Sequence, residues 1–280
     1  MSKSVVAIQD TPKARSRSAG VKAVVLAGGK GTRLAPYTSI LPKPLMPIGD
    51  GSILELVLGQ LASSRIKDVT LCVGHLAHLI EAVLTNGRTH GVNITYVHER
   101  EALGTAGPLR LIEGLDDTFI AMNGDVLTTL DYLDLVRYHR RSRNMLTIAT
   151  HERPIRVDYG VLTLGRNGNR NRVKAYTEKP EMISTVSMGI YVIEPEALSY
   201  IPPSGYFDFP ELVQTLLAEG KAVGAYRFGG LWFDIGRRDD YEEAVTAWFR
   251  HSEESTSVAT TDGGAGSNGE PWPHASAVAQ

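Results

Sequence analysis

Apolar residues along this chain fall into two spacings that take turns. Strand-length runs rich in β-branched residues stand at Ala23–Ala27, Val69–Val73, Asn93–Val97, Phe119–Met122 and Leu146–Thr150. Between them, at Ser52–Ser64, His75–Asn86, Gly107–Glu113 and Tyr132–Arg141, the pattern is helix-like. Ser52 with Glu55 three residues later reads as a capping box, in which two side chains satisfy backbone N–H groups at a helix start. Alternating strand and helix predict an α/β layer fold with a mostly parallel sheet. Beyond residue 150 strand signals cluster, at Gly160–Leu164, Val173–Tyr176, Val186–Ile193 and Val223–Phe228. They predict an added, partly antiparallel region forming one side of a cleft. A last helix, Asp239–Phe249, opens on Asp239, Asp240, Glu242 and Glu243, where negative charge suits the helix dipole.

The periodic pattern fades at both ends. Residues 1–20 are polar, with Lys13, Arg15 and Arg17 among Ser, Thr and Ala, and read as a disordered extension. Residues 251–280 are dominated by Ser, Thr, Gly, Ala and Glu and read as a flexible low-complexity tail. Residues 21–250 are left as the folded domain. With 42% apolar residues in 280, the chain can bury one sizeable core or two small ones. A net charge of −2 gives no support for a nucleic-acid or membrane-surface partner. The single cysteine, Cys72, sits in an apolar run and reads as a buried strand residue. No apolar stretch reaches membrane-spanning length, and Val5-Val6-Ala7-Ile8 is too short for a signal-peptide core. A reducing cytoplasm is the expected location.

One segment adds chemistry to this frame. The strand at Ala23–Ala27 runs into Gly28-Gly29-Lys30-Gly31-Thr32-Arg33, and Pro42-Lys43-Pro44 follows about ten residues later. Glycines let bare backbone N–H groups approach an anion, and Arg33 and Lys43 add fixed positive charge beside them. That combination is the local chemistry of a polyphosphate site. It is neither a P-loop, which needs G-x-x-x-x-G-K-[ST], nor a dinucleotide fingerprint, because Leu34 stands where the third glycine of G-x-G-x-x-G would be. Asp125 follows the apolar strand Phe119–Met122, which places it on the ligand edge of an open α/β sheet. Asp234 follows Leu231-Trp232-Phe233. Two such carboxylates can share a hard cation together with substrate phosphates.

Leu-Ala-Gly-Gly-Lys-Gly-Thr-Arg-Leu followed by Pro-Lys-Pro-Leu-Met-Pro-Ile-Gly resembles the signature of the sugar-1-phosphate nucleotidyltransferases. Further matching stretches are Leu103-Gly104-Thr105-Ala106-Gly107, Asn123-Gly124-Asp125, Glu178-Lys179-Pro180 and Trp232-Phe233-Asp234-Ile235-Gly236. The resemblance runs from about Val21 to about Phe249. It implies a three-layer α/β/α fold with a mixed, mostly parallel sheet, and joining of a nucleoside triphosphate to a sugar 1-phosphate with release of pyrophosphate. It places Leu26 and Ala27 near the base and ribose, and Gly28, Gly29, Gly31 and Thr32 around the triphosphate. Arg33 would hold the β- and γ-phosphates, and Lys43 would lie near the α-phosphate. Gly104, Thr105 and Asn123 complete the implied nucleotide site, and Asp125 and Asp234 would hold Mg²⁺. Lys179 would bind the sugar phosphate, Glu178 would accept from sugar hydroxyls, and Gly160 would lie against the ring. Ser187-Met188-Gly189 stands where many relatives carry Asn-Ala-Gly, so a shorter group reads the sugar here. The Leu103–Gly107 variant looks most like mannose- or heptose-1-phosphate guanylyltransferases, with thymidylyl-, adenylyl- or uridylyltransfer, or a carbocyclic acceptor, as alternatives. No hexapeptide-repeat β-helix of the kind some relatives append is expected, and the resemblance admits a homodimer.

Other features read as plain surface. His75, His78 and Glu81 are spaced along one helix and read as an exposed face rather than a zinc site. The basic runs Arg137–Arg143 and Arg166–Lys174 lack interleaved aromatics and read as solvated surface. A glycosyltransferase would be expected to carry Asp-x-Asp, whereas Asp125 is followed by Val126-Leu127. A non-catalytic nucleotide-sugar sensor would be expected to lack Arg33, Lys43, Lys179 or an aspartate.

Overall fold

The computed structural model describes residues 20–165, 172–236 and 238–261. In chain order the strands are β1 (Lys22–Ala27), β2 (Pro47–Ile48), β3 (Gly51–Ser52), β4 (Asp68–Val73), β5 (Asn93–His98), β6 (Phe119–Asn123), β7 (Val126–Thr128), β8 (Leu146–Arg156), β9 (Val161–Leu164), β10 (Val173–Thr177), β11 (Glu181–Ile193), β12 (Val223–Arg227) and β13 (Trp232–Asp234). The helices are α1 (Ile53–Ser63), α2 (Ala77–Leu84), α3 (Tyr132–Ser142), α4 (Phe209–Ala218) and α5 (Arg238–Thr261). Seven strands form one sheet in the order β12-β8-β11-β6-β1-β4-β5. Neighbours run parallel except β11, which is antiparallel to both β6 and β8. The α/β expectation of a mixed, mostly parallel sheet is met.

Alternation within each strand explains the layers. In β1, Ala23, Val25 and Ala27 join one core while Val24 joins the other, and all four are buried. The first core packs the sheet against α1, α2, α3 and α5 through residues such as Leu54, Leu58, Ile80, Leu135 and Ala244. The second packs the opposite face against α4 and short turns through Phe209, Leu212, Leu216 and Leu109. Cys72 is fully buried in this second core, and burial with the nearby Glu99 pushes its thiol up to about 12. α1 starts on the expected capping box: the Glu55 N–H donates to Ser52 Oγ at 3.3 Å, and the Ser52 N–H donates back to Glu55 Oε2 at 2.8 Å.

Several expectations change. Gly107–Leu111 is a 3-10 turn instead of the helix expected over Gly107–Glu113, because Ile112 already takes extended backbone and Gly114 is left-handed. The strands after residue 150 do not form a separate region: β8, β11 and β12 complete the central sheet, while β9 pairs with β10 and β13 with β7 outside it. β8 and β11 run past the sheet as a paired arm, from Ser187 opposite Thr150 out to Glu181 opposite Arg156. α5 continues beyond Phe249 to Thr261. The extension at 1–19, the rest of the tail at 262–280 and part of the basic run, 166–171, lie outside the described residues. Among the described residues no helix is long and apolar enough to cross a membrane.

Candidate functional site

Parallel strands β1, β4, β6, β8 and β12 end on one edge of the sheet, and the glycine segment leaves β1 at that edge. The Gly124 N–H donates to Leu26 O at 2.8 Å and the His75 N–H to Gly28 O at 3.2 Å, so the loops after β6 and β4 clamp the loop after β1. Gly31 has φ +61°, which favours glycine, and any Cβ there would press on Thr38 and Lys43. The loop therefore turns back and brings the Pro42-Lys43 segment beneath it. Thr32–Leu34 forms a 3-10 turn that leaves Thr32 and Arg33 exposed while Leu34 is buried.

Lys43 begins another 3-10 turn and is buried, with its ammonium paired to Asp125 Oδ2. The partner carboxylate arrives by a short ladder that periodicity could not show. β7 pairs with β13 antiparallel, placing Asp234 opposite Val126 and therefore beside Asp125. Trp232 Nε1–H donates to Met188 O at 3.1 Å and anchors β13 to β11. Burial first, and then the charge of Asp125, push Asp234 above the ordinary carboxylate value, while Lys43 and Arg33 pull it down. Asp125 Oδ1 is buried with no protein partner. An orphaned carboxylate oxygen beside a second, partly buried carboxylate fits a hard divalent cation completed by phosphate oxygens and water. Among the described residues no cluster of three or more His, Cys, Asp or Glu ligands gathers anywhere, including at His75, His78 and Glu81. Glu81 faces His98 at 3.1 Å instead.

On the β4–β5 side the site holds a group that motif reading passed over. Glu99 is half-buried, and a Cβ at Gly28 would collide with its Oε1. Burial pushes Glu99 up from the ordinary carboxylate range, and the Leu103 N–H, 3.4 Å from its Oε2, pulls it back. A lone glutamate after a strand gives no sequence signal; only the close approach to Gly28 shows it. The Gly104-Thr105 turn is held from α4. Thr105 donates to Asp208 Oδ1 from its N–H at 2.8 Å and its hydroxyl at 3.0 Å, while the Phe209 N–H donates to Thr105 Oγ1 at 2.9 Å.

The β9–β10 hairpin and the arm carry the remaining candidates. Glu178 Oε2 accepts from the Tyr176 hydroxyl at 2.5 Å, and Tyr176 lies directly over Gly160, where any Cβ would meet its ring. Lys179 follows with φ +45°, a left-handed conformation that is costly for a lysine and that turns the chain at this point. Ser187 Oγ lies 3.2 Å from the Tyr191 hydroxyl and is itself exposed. The structure thus places Leu26, Ala27, Gly28, Gly29, Gly31, Thr32, Arg33, Lys43, Asn123, Asp125 and Asp234 near one another at the end of β1. Gly160, Glu178 and Lys179 stand together at the base of the β9–β10 hairpin, next to the outer end of the arm.

A glycine loop with Arg33 and Lys43 beside it, at a strand end of an α/β sheet, has the local chemistry of a polyphosphate site, and comparison gives the family. Residues 22–249 match the nucleotidyl transferase family, to which this chain belongs. A UTP–glucose-1-phosphate uridylyltransferase of Synechocystis is 35% identical, over 80% of this chain and 62% of its own length. A mannose-1-phosphate guanyltransferase of Yarrowia lipolytica is 32% identical, over 79% and 62%. The chain therefore spans about 62% of the length of the curated relatives it matches. A solved structure, HddC from Yersinia pseudotuberculosis, superposes with TM-score 0.63 at 25% identity, covering 82% of this chain and all of that one.

Proposed function

We propose that this chain joins a nucleoside triphosphate to a sugar 1-phosphate and releases pyrophosphate, with GTP and a mannose-like or heptose-like phosphate as the preferred pair and Mg²⁺ as cofactor. The carrying observation is the placement of Arg33, Lys43, Asp125 and Asp234 around a glycine-lined strand end. A phosphate monoester is largely dianionic at neutral pH, so the nucleophile needs no strong base. The obstacle is bringing two polyanions together, which calls for positioning and charge stabilisation.

An oxygen of the sugar phosphate forms the new bond to the α-phosphorus. The bond from that phosphorus to its β-bridging oxygen breaks, and pyrophosphate leaves with the electron pair. Arg33, exposed beside Gly236, meets the leaving β- and γ-phosphates, and Lys43 meets the α-phosphoryl oxygens. Glycine-loop N–H groups orient the triphosphate. Asp125 and Asp234 would hold the cation, which supplies charge neutralisation between the phosphates. Lys179 and Glu178 would present the acceptor from the base of the β9–β10 hairpin.

Glu99 favours guanine. A carboxylate only accepts hydrogen bonds, and the guanine edge offers adjacent N1–H and N2–H donors, whereas uracil and thymine flank a single N3–H with oxygens. A uridylyl reading has the support of the Synechocystis relative's name. Four nucleoside triphosphates crossed with a panel of sugar 1-phosphates, scored by pyrophosphate, separate the two. Arg33→Ala is expected to lower turnover about 10²–10³-fold, as losing one well-aimed cation does. Near-normal turnover in that variant would overturn the site assignment.

A further inference from the structure

Beside Ser187, on the same edge of the sheet, lies a hollow of about 340 Å³ whose lining includes Thr150, Glu152, Thr185 and Arg227. Register fixes how these side chains stand. Ser187 is opposite Thr150 across the β11–β8 pair, and Thr150 is opposite Arg227 across the β8–β12 pair. Directly opposed residues share a face, so Ser187, Thr150 and Arg227 form one cross-strand row. Thr185 opposite Glu152 forms the next row outward on that face. Strands are about 4.8 Å apart, so Arg227 starts only about 10 Å from Ser187, within the combined reach of its side chain and a sugar's exocyclic carbons.

Within this hollow Arg227, Glu152 and Thr185 are exposed, and among the described residues their side chains make no ion pair or hydrogen bond. Thr150 differs: its hydroxyl is committed to Tyr226 O at 3.0 Å. A donor-only guanidinium, an acceptor-only carboxylate and a hydroxyl together match a neutral chain of hydroxyl groups, each of which donates and accepts. A second phosphate would gain from Arg227 but meet Glu152 as a like charge. We propose that this hollow is a subsite for a polyhydroxylated extension of the acceptor, carbons beyond the ring bearing free hydroxyls, and that it sets preference for longer sugar phosphates. The inference rests on the proposed nucleotidyl transfer with Ser187 facing the sugar.

The test uses the full chain with wild type, Arg227→Ala, Glu152→Gln and Thr185→Val against pentose, hexose and heptose 1-phosphates under saturating nucleoside triphosphate and MgCl₂. Wild type is expected to improve with chain length. Arg227→Ala and Glu152→Gln are expected to raise KM for the longest acceptor about tenfold, with KM for the pentose phosphate and for the nucleotide unchanged. Equal losses across all acceptors, or none, overturn the subsite and leave the transfer reaction standing. A better response to an acceptor bearing a second phosphate, lost in Arg227→Ala, overturns the assignment to neutral hydroxyls. If no sugar 1-phosphate yields pyrophosphate with any triphosphate, the underlying reading falls and takes the subsite with it.

Discussion

Asp125 is the residue on which the site turns, because each of its oxygens meets a different demand. Oδ2 neutralises Lys43, a buried ammonium, while Oδ1 is buried without a partner. Asp234, raised chiefly by burial and then by Asp125, is the natural second donor. A cation there relieves both the orphaned oxygen and the repulsion, so MgCl₂ is expected to raise the melting temperature of the wild type. Asp234→Asn is expected to abolish that rise while leaving the metal-free protein at least as stable; thermal melts with and without MgCl₂ decide it. Glu99 is the proposed reader of the base. Hydrogen bonds to a charged acceptor contribute about 1.5–3 kcal/mol, so Glu99→Gln is expected to cost about 10–150-fold in kcat/KM for GTP. Because an amide both donates and accepts, the same change is expected to help UTP or dTTP. Equal losses for every triphosphate would remove Glu99 from base recognition.

Between residue and fold stand the loops and short elements, where sequence and structure part company. Long segments announced themselves: α1 by its capping box, β1 and β4 by apolar runs buried on both faces. β7 and β13, three residues each, are too short to show any period, yet their pairing is what puts Asp234 beside Asp125. α4 is not among the expected helices, although Asp208 with Glu211 and Pro210 marks its start; the Asp208 N–H donates to Glu211 Oε2 at 2.7 Å. The turn after β1 was legible from its glycines alone, Gly31 taking φ +61°. Glu99 was not, because its role depends on a contact across strands to Gly28. The Asp208–Thr105 link ties α4 to the turn proposed to flank the base. Asp208→Ala is expected to cost about 1–2 kcal/mol of stability and to raise KM for the nucleotide, while Asp208→Asn keeps much of both. Denaturant melts alongside nucleotide titrations check this, and an unchanged KM would separate α4 from the nucleotide site.

Across the whole molecule, the two halves of the sheet, β6-β1-β4-β5 and β8-β12, must stay in register. β11 joins them, antiparallel between β6 and β8, and one polar node inside the core locks that junction to α3. His139 on α3 is fully buried, its Nδ1 2.8 Å from Thr147 Oγ1 on β8 and its Nε2 2.9 Å from Glu194 Oε1 at the end of β11. Thr118, leading into β6, donates to the same Glu194 oxygen at 2.8 Å. Burial holds His139 below its ordinary value, outweighing the upward pull of Glu194. The folded state therefore binds the proton less readily than the unfolded chain. Its contribution to stability is fully present above the unfolded histidine value of about 6.5 and is lost as pH falls through the lower folded value. Urea melts from neutral toward acid pH are expected to show a decline that His139→Gln flattens, at the cost of a lower stability at neutral pH. If the variant declines in parallel with the wild type, the acid sensitivity belongs to other groups, and the node between α3, β6, β8 and β11 is a neutral hydrogen-bond network rather than the point at which acid begins to part the sheet.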